Sequence, residues 1–359
     1  MRRAALHALA LATLFLLSLV TSPVLAAPGR AQDGGSITGI VVNGSHAQTP
    51  VAGVPLTLVL TEADGSHNVG AVSSDAHGRF SLTGYPFDPN GAYAIAGTYQ
   101  GGHYLSPTFA LDSSGGGAAL LTVYDATTSD AALSVSLQTT LFDQPQPVNG
   151  LVRVAQSFTM HNAGLQAYVG STDIAAGQGP AKVVRFPLLS GAVNVQLADG
   201  FSGVQVIQIP NGLGAVATVP PGDTRYVFSY QARYSAISLD AALKAEYPTA
   251  RMTVLVASSI PATSTDLAAA GDITASGRQY HLFSGVNVPR DGAAHVRLTL
   301  PHAGEPPAVS FPVLAAVAML IAVLLVLGIA VYLRRGTLVG VLPIISAAQP
   351  EREEVGTTP

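Results

Sequence analysis

Two apolar segments lie at opposite ends of this chain, and they constrain its fold more than any other feature. The first, residues 8–20, follows Arg2 and Arg3. The second is Phe311–Leu333. This arrangement is typical of a protein whose central region is exported and then held to a membrane by one helix. We therefore expect nearly everything between the two segments to fold outside the cytoplasm.

The first segment predicts a secretory signal peptide over residues 1–27. It is short, follows positive charges and ends in the small residues Ala26 and Ala27. These are the features of a cleaved leader and not of a membrane span.

The second segment predicts a transmembrane helix, Phe311–Leu333, that contacts the lipid bilayer. A helix of about 23 residues extends roughly 35 Å, which exceeds a hydrocarbon core of about 30 Å. Arg334 and Arg335 follow it, and the positive-inside rule places the tail 334–359 in the cytoplasm. The sequence thus predicts a single-pass type I protein of the plasma membrane, with a spacer at 302–310. A buried core helix is the alternative.

Composition predicts an all-β fold and excludes several functions. Only 11% of the residues are charged, whereas Gly (37) and Pro (24) are abundant, which favours short strands and turns. The chain has no cysteine, so disulfides, thiolate metal sites and cysteine catalysis are excluded. A formal net charge of −4 gives no indication of nucleic-acid binding.

Residues 36–112 predict a small β-sandwich. Leu56, Leu58 and Leu60 alternate with other residues at the period of a half-buried strand. The segment 75–78 predicts a turn, because Asp can bond its own backbone and Gly supplies a positive φ. Phe80 then follows on the returning strand.

Four features of this region resemble the carboxypeptidase regulatory-like (transthyretin-like) family of seven-stranded sandwiches. They are Gly39, the segment 50–55, the turn 74–80 and the strand start 91–93. The resemblance covers about a fifth of the chain. It implies an accessory module for folding, spacing or adhesion, without the family's zinc peptidase centre, which lies in another domain. The loop 85–90 is longer than the family's usual loop. It is interpreted either as a contact surface or as a solvated turn.

The Gly-rich segment 113–117 predicts an interdomain linker, and residues 118–301 predict an immunoglobulin-like β-rich region. Residues 152–161 and 224–234 alternate strongly and predict long strands. Residues 239–247 predict the single helix outside the membrane, with Asp240 as its cap and Pro248 ending it. The sequence leaves open whether 118–301 forms one domain or two.

No catalytic, cofactor-binding or metal-ligating residue is predicted, and no cofactor. The nine histidines lack ligand spacing, although converging turns could bring some of them to a shared metal site. Solvated turn residues are the favoured interpretation. The histidines in or beside turns are His46, His67, His77 and His103.

Three further patterns have a structural and a functional interpretation. Five aromatic residues could form a sugar-stacking platform or pack in a core. Residues 300–304 resemble a sortase-type sorting motif, or they are a strand end followed by a stalk. Asn43-Gly44-Ser45 is a glycosylation triplet or a plain turn. The five aromatic residues are Tyr85, Phe87, Tyr93, Tyr99 and Tyr104.

The sequence therefore predicts a membrane-anchored protein that acts in binding, adhesion or scaffolding at a prokaryotic cell envelope and is not an enzyme. A protein or carbohydrate partner, unidentified, is expected on the extracytoplasmic side. One alternative is an accessory subunit of an export or cofactor-maturation assembly. Another, less favoured, is a hydrolase acting on envelope polymers.

Overall fold

The computed structural model describes residues 35–302, except 63–64, 86–87, 89, 172–181 and 235–236. These residues form an all-β structure, which confirms the all-β class expected from the sequence. They contain two short 3₁₀ turns, Gly44–His46 and Pro147–Asn149, and no α-helix. The strands build two units, each with its own hydrophobic core.

The first unit is a sandwich of two sheets. Its eight strands are β1 (Gly35–Asn43), β2 (Thr49–Pro50), β3 (Pro55–Glu62), β4 (Gly65–Ser73), β5 (Arg79–Tyr85), β6 (Ala92–Tyr99), β7 (Gly102–Leu105) and β8 (Gly116–Val123). One sheet contains β1, β2, β5 and β8, and the other has the order β4-β3-β6-β7. Leu56, Leu58 and Leu60 point into the core between them, as their alternation predicts.

Two local features predicted from the sequence shape this sandwich. Asp75 Oδ1 accepts hydrogen bonds from the backbone N–H groups of His77 and Arg79, both at 2.8 Å, and Gly78 adopts a φ of +72°. Gly39 lies opposite Phe80 in the β1–β5 ladder. A Cβ at residue 39 would overlap the Phe80 ring, so only glycine allows the ring to pack this closely.

The predicted linker at 113–117 is wrong. The segment is a tight turn in which Asp112 Oδ1 accepts from the N–H groups of Ser114 and Gly116, each at 2.8 Å. β8 then pairs in parallel with β1 over all eight of its residues and buries Leu121 and Val123 in the first core. The glycines that indicate a flexible linker instead supply the backbone freedom of a turn. The first sandwich therefore extends to residue 123.

The second unit is built around one wide sheet. Its strands are β9 (Ala126–Thr127), β10 (Leu133–Gln146), β11 (Leu151–Asn162), β12 (Ala167–Val169), β13 (Val184–Pro187), β14 (Ala192–Leu197), β15 (Gln205–Ile209), β16 (Gly212–Val216), β17 (Thr218–Val219), β18 (Gly222–Arg233), β19 (Ser238–Lys244), β20 (Thr249–Ala257), β21 (Ala262–Ser264), β22 (Ala268–Ala275), β23 (Arg278–Val288) and β24 (Ala293–Thr299). The wide sheet has the order β14-β18-β11-β10-β20-β23-β22.

Two three-stranded sheets, β13-β16-β15 and β19-β24-β21, pack against the wide sheet over one continuous core. Phe186 of β13 lies at the centre of its aromatic part, with ring centroids 5.3 Å from Phe158 and 4.9 Å from Tyr226. The parallel pairing of β10 with β20 joins the earlier and later strands of the unit. Residues 126–299 therefore form one unit and not two.

The helix predicted at residues 239–247 is wrong, because this segment contains β19. All seven residues of β19 pair with β24. Ala241, Leu243 and Ala245 are buried, whereas Asp240 and Lys244 are exposed. Ala, Leu and Lys favour helices intrinsically, but pairing in a sheet overrides that preference.

The predicted signal peptide, membrane segment and tail lie outside the described residues, as does the spacer beyond residue 302. Within the part of the chain that the structure describes, no helix is both long and apolar enough to cross a membrane. Leu300 is buried in the second core, and its N–H donates to the carbonyl of Ile237 at 2.7 Å. Of the two interpretations of residues 300–304, a sorting motif or a strand end followed by a stalk, the buried position of Leu300 fits the strand end.

Candidate functional site

The turn histidines do not form a metal centre among the described residues, where no group of three or more His, Cys, Asp or Glu side chains could hold an ion. Several histidines instead pair singly with a carboxylate. His46 Nε2 lies 2.6 Å from Asp125 Oδ2, and His161 Nδ1 lies 2.7 Å from Asp223 Oδ1.

The aromatic residues considered as a sugar platform are mostly core residues. Tyr85, Tyr93 and Tyr104 are buried, and the rings of Tyr85 and Tyr93 pack against each other at 6.2 Å. Phe87 lies outside the described residues. Buried rings offer no face to a sugar, and Tyr99 is partly buried against the same core, so the described members of this set pack the first sandwich.

A groove of about 420 Å³ runs along one side of the first unit. Leu105 of β7 and Leu120 of β8 flank it with 63% and 46% of their surface exposed. Pro220 and Pro221 reach it from the second unit. The other described lining residues are His103, Tyr104, Ser106, Pro107, Thr108, Phe109, Ala118, Ala119, Thr122 and Tyr124.

The groove separates the edge strands of the two sheets. β8 pairs with β1 on one side, and no described strand pairs with its other edge. β7 pairs with β6, and its backbone N–H at His103 donates to Thr218 Oγ1 of β17 at 2.9 Å. The second unit therefore contacts the edge of β7, whereas the edge of β8 is open. An open edge presents N–H and C=O groups to an incoming strand.

The described lining residues include no Asp, Glu, Lys or Arg, and His103 is the one histidine among them. Tyr104 donates its hydroxyl to the carbonyl of Tyr124 at 2.9 Å, and burial raises the pKa of Tyr104 to about 12. This hydroxyl therefore stays protonated and bonded near neutral pH. The described part of the groove offers apolar contacts and backbone groups.

A hydrogen-bonded junction joins the groove-bearing unit to the second unit. Asp125 accepts from Asn43 Nδ2 at 2.8 Å and from Gln100 Nε2 at 3.3 Å, and it also contacts His46. Ser45 donates to the carbonyl of Leu165 at 2.7 Å. The Asn43 amide is thus buried and engaged, which favours the turn interpretation of residues 43–45 over glycosylation. The pKa of Asp125 is lowered, chiefly by the bond from Asn43.

The second unit contains a buried ionic group that no sequence pattern indicates. Asp143 lies 2.9 Å from Arg278 Nη1 and 3.8 Å from Arg153 Nη1. Asp143 and Arg153 are both buried. The three residues come from β10, β11 and β23, and Asp143 and Arg278 are separated by 135 positions. Only tertiary structure brings them together, so no motif indicates this group.

Comparison with known proteins gives no family. No family model and no curated protein matches the chain. An M1 zinc metallopeptidase from Deinococcus radiodurans aligns with a TM-score of 0.30 and 12% identity over 46% of this chain and 42% of its own. A two-domain M1 zinc metallopeptidase bound to L-tryptophan aligns with a TM-score of 0.30 and 13% identity over 51% of each chain. The chain thus spans about half or less of these structures, and an overlap of this size establishes no shared fold.

Proposed function

We propose that this protein is a membrane-anchored, extracytoplasmic β-scaffold that acts by binding through the groove between β7 and β8. The first unit serves as the carboxypeptidase regulatory-like module and the second as the immunoglobulin-like region. The apolar segments at the two ends of the sequence support the location, with Phe311–Leu333 as the anchor in the plasma membrane.

The open edge of β8 beside exposed leucines is the observation that carries this proposal. Leu105 and Leu120 expose large apolar side chains on either side of a concave, uncharged surface. A rimmed apolar surface of this kind is typical of a protein interaction site. Ser45 and His103 of the first unit donate hydrogen bonds to Leu165 and Thr218 of the second, so the groove is presented on a supported unit.

Site-specific photo-crosslinking tests the binding role of the groove. A photoreactive amino acid replaces Leu120, and the full-length chain is irradiated in the membranes of the cells that produce it. Leu197 of β14 is the matched control, because it is also a strand leucine, is 43% exposed and lies outside the groove lining. We expect a discrete adduct from position 120 and none from position 197. Equal labelling or no adduct would contradict the proposal.

Cysteine labelling tests the membrane topology. Because the chain has no native cysteine, only the introduced residue can react. We expect Ser66→Cys, at an exposed position of β4, to react with a membrane-impermeant maleimide on intact cells. We expect Thr337→Cys, in the predicted tail, to react only after permeabilisation. The reverse pattern, or reaction of both on intact cells, would overturn the proposed anchoring.

A further inference from the structure

Resting on the proposed function of the groove, we propose that its occupant is a second copy of this chain, whose β8 pairs antiparallel with β8 of the first. The two strands would form one continuous sheet across a two-fold axis. In such an interface the same surface of each copy contacts its counterpart.

The edge of β8 lacks the features that protect two other edges in this molecule, those of β14 and β22. It has eight residues, no charged side chain and no proline, and its register with β1 is unbroken. Edge strand β14, in contrast, has a register shift between Val193 and Gln196. β22 carries Asp272 and has a shift between Ala269 and Asp272. Charges and bulges commonly prevent strands from pairing at an edge, so an edge without them is suited to a partner.

The uncharged composition of β8 suits it to pairing with a second copy of itself. Like charges opposite each other in a strand pair are destabilising, and a self-paired strand places its own side chains near their copies. A strand with no charge meets no such penalty. The side chains that β8 turns away from the core are small or apolar, with Ala118 and Leu120 exposed and Thr122 partly exposed. Anchoring in the same membrane would also raise the local concentration of copies, which favours pairing.

A peptide partner fits the lining better than a carbohydrate. Tyr104, the tyrosine of β7, is 6% exposed and its hydroxyl is already bonded to the backbone. Sugar recognition by stacking needs an exposed ring face, whereas strand addition uses main-chain hydrogen bonds and pockets for alternate side chains. Leu105 supplies an apolar surface against which the added strand can pack.

Single cysteines on β8 test this pairing, since any disulfide must join the introduced residues of two copies. Ala118→Cys, Leu120→Cys and Thr122→Cys are made separately in the full-length chain and oxidised in the native membrane. Residues directly opposite in a strand pair have Cβ atoms about 5 Å apart, whereas a disulfide needs about 4 Å. We therefore expect one position, nearest the two-fold axis, to form disulfide-linked dimers several-fold more than the other two.

The control Leu197→Cys, of similar exposure on β14, should give no dimer. Equal crosslinking at all four positions would show random collision and would overturn the pairing. As a second readout, Leu120→Lys should convert a dimeric full-length chain to a monomer in lipid nanodiscs. A monomeric unsubstituted chain would also overturn the pairing.

The photo-crosslink from position 120 separates the two proposals. An adduct with twice the mass of the chain supports both. An adduct of another mass would overturn the second copy as occupant and leave the groove as a binding site. No adduct above the Leu197 control would overturn both.

Discussion

The two units of this molecule are stabilised in different ways. In the first unit, side chains cap backbone groups close to them in sequence, as Asp75 and Asp112 do in their turns. In the second, residues distant in sequence meet in an aromatic cluster around Phe186 and an ionic group around Asp143. Turns closed by nearby side chains therefore shape the small sandwich, although its β1–β8 pair joins residues about 80 positions apart, whereas contacts between distant residues dominate the wide sheet.

The largest expected effect is on the aromatic cluster. Phe186→Ala should lower the free energy of unfolding of the second unit by about 4 kcal/mol, because it removes a fully buried ring and leaves a cavity. Hydrogen exchange measured by mass spectrometry reports peptides of each unit separately. Peptides from β10, β11 and β18 should exchange faster, whereas those from β3 and β6 should not change. Equally faster hydrogen exchange in both units would contradict the view that this cluster stabilises the second unit alone.

A somewhat smaller effect is expected at the ionic group. Asp143→Ala should destabilise the second unit by about 3 kcal/mol, because it leaves two arginines close together in a buried site without this carboxylate. Asp223→Ala removes an exposed carboxylate that pairs with His161, and should change stability by less than about 1 kcal/mol. Denaturant unfolding measures both variants. A similar small change in each would contradict a stabilising role for the buried group.

The stability of the first unit should depend on pH through the carboxylates of its two turns, Asp75 and Asp112. Backbone hydrogen bonds from Arg79 and His77 lower the pKa of Asp75. The side chain and N–H of Ser114 and the N–H of Gly116 lower that of Asp112. A carboxyl with a lowered folded pKa contributes stability that is complete above its ordinary pKa of 3.8 and is lost as the pH falls through the folded value.

The double variant Asp75→Asn and Asp112→Asn keeps an acceptor oxygen in each turn but cannot titrate. We therefore expect thermal unfolding of its first unit to depend less on pH below about 4 than that of the unsubstituted chain. At pH 7 the unsubstituted chain should be the more stable of the two, and this difference should shrink as the pH falls below about 4. An identical acid dependence in both would show that these turns do not determine it.

The smallest expected effect is at the junction. Asp125→Ala removes the acceptor for Asn43 and Gln100 and the partner of His46, but it alters neither core. Exchange should accelerate in peptides containing residues 43–46 and 99–101, while β3 and β11 keep their protection. Faster exchange throughout either unit would mean that the junction supports folding and not only the relative position of the units.

The same contrast explains which features the sequence revealed. The alternation in β3, the Asp75 turn and the long strands β11 and β18 were predictable because each depends on neighbouring residues. The placement of β8 was not, because its partner β1 lies about 80 residues earlier, and Gly-rich composition alone indicates a linker. β19 could have been recognised, since residues 239, 241, 243, 245 and 247 are apolar and three of the four residues between them are charged.

The site was less predictable than the fold. The groove arises where β7 and β8 face each other across the sandwich, with prolines from the other unit at one end, so no segment of sequence contains it. The exposure of Leu105 and Leu120 is likewise a result of tertiary structure. The absence of charge in β8 was visible, but it acquires meaning only once the strand is known to lie at an edge.

Hydrogen exchange along β8, in the full-length chain in its membrane, tests the central claim most directly. Pairing with β1 protects the N–H groups on one edge, which is about half of the strand. If the open edge is paired with a second copy, nearly all N–H groups in peptides covering Gly116–Val123 should exchange slowly, and Leu120→Lys should restore fast exchange to about half of them. Fast exchange of about half in the unsubstituted chain would contradict an occupied groove.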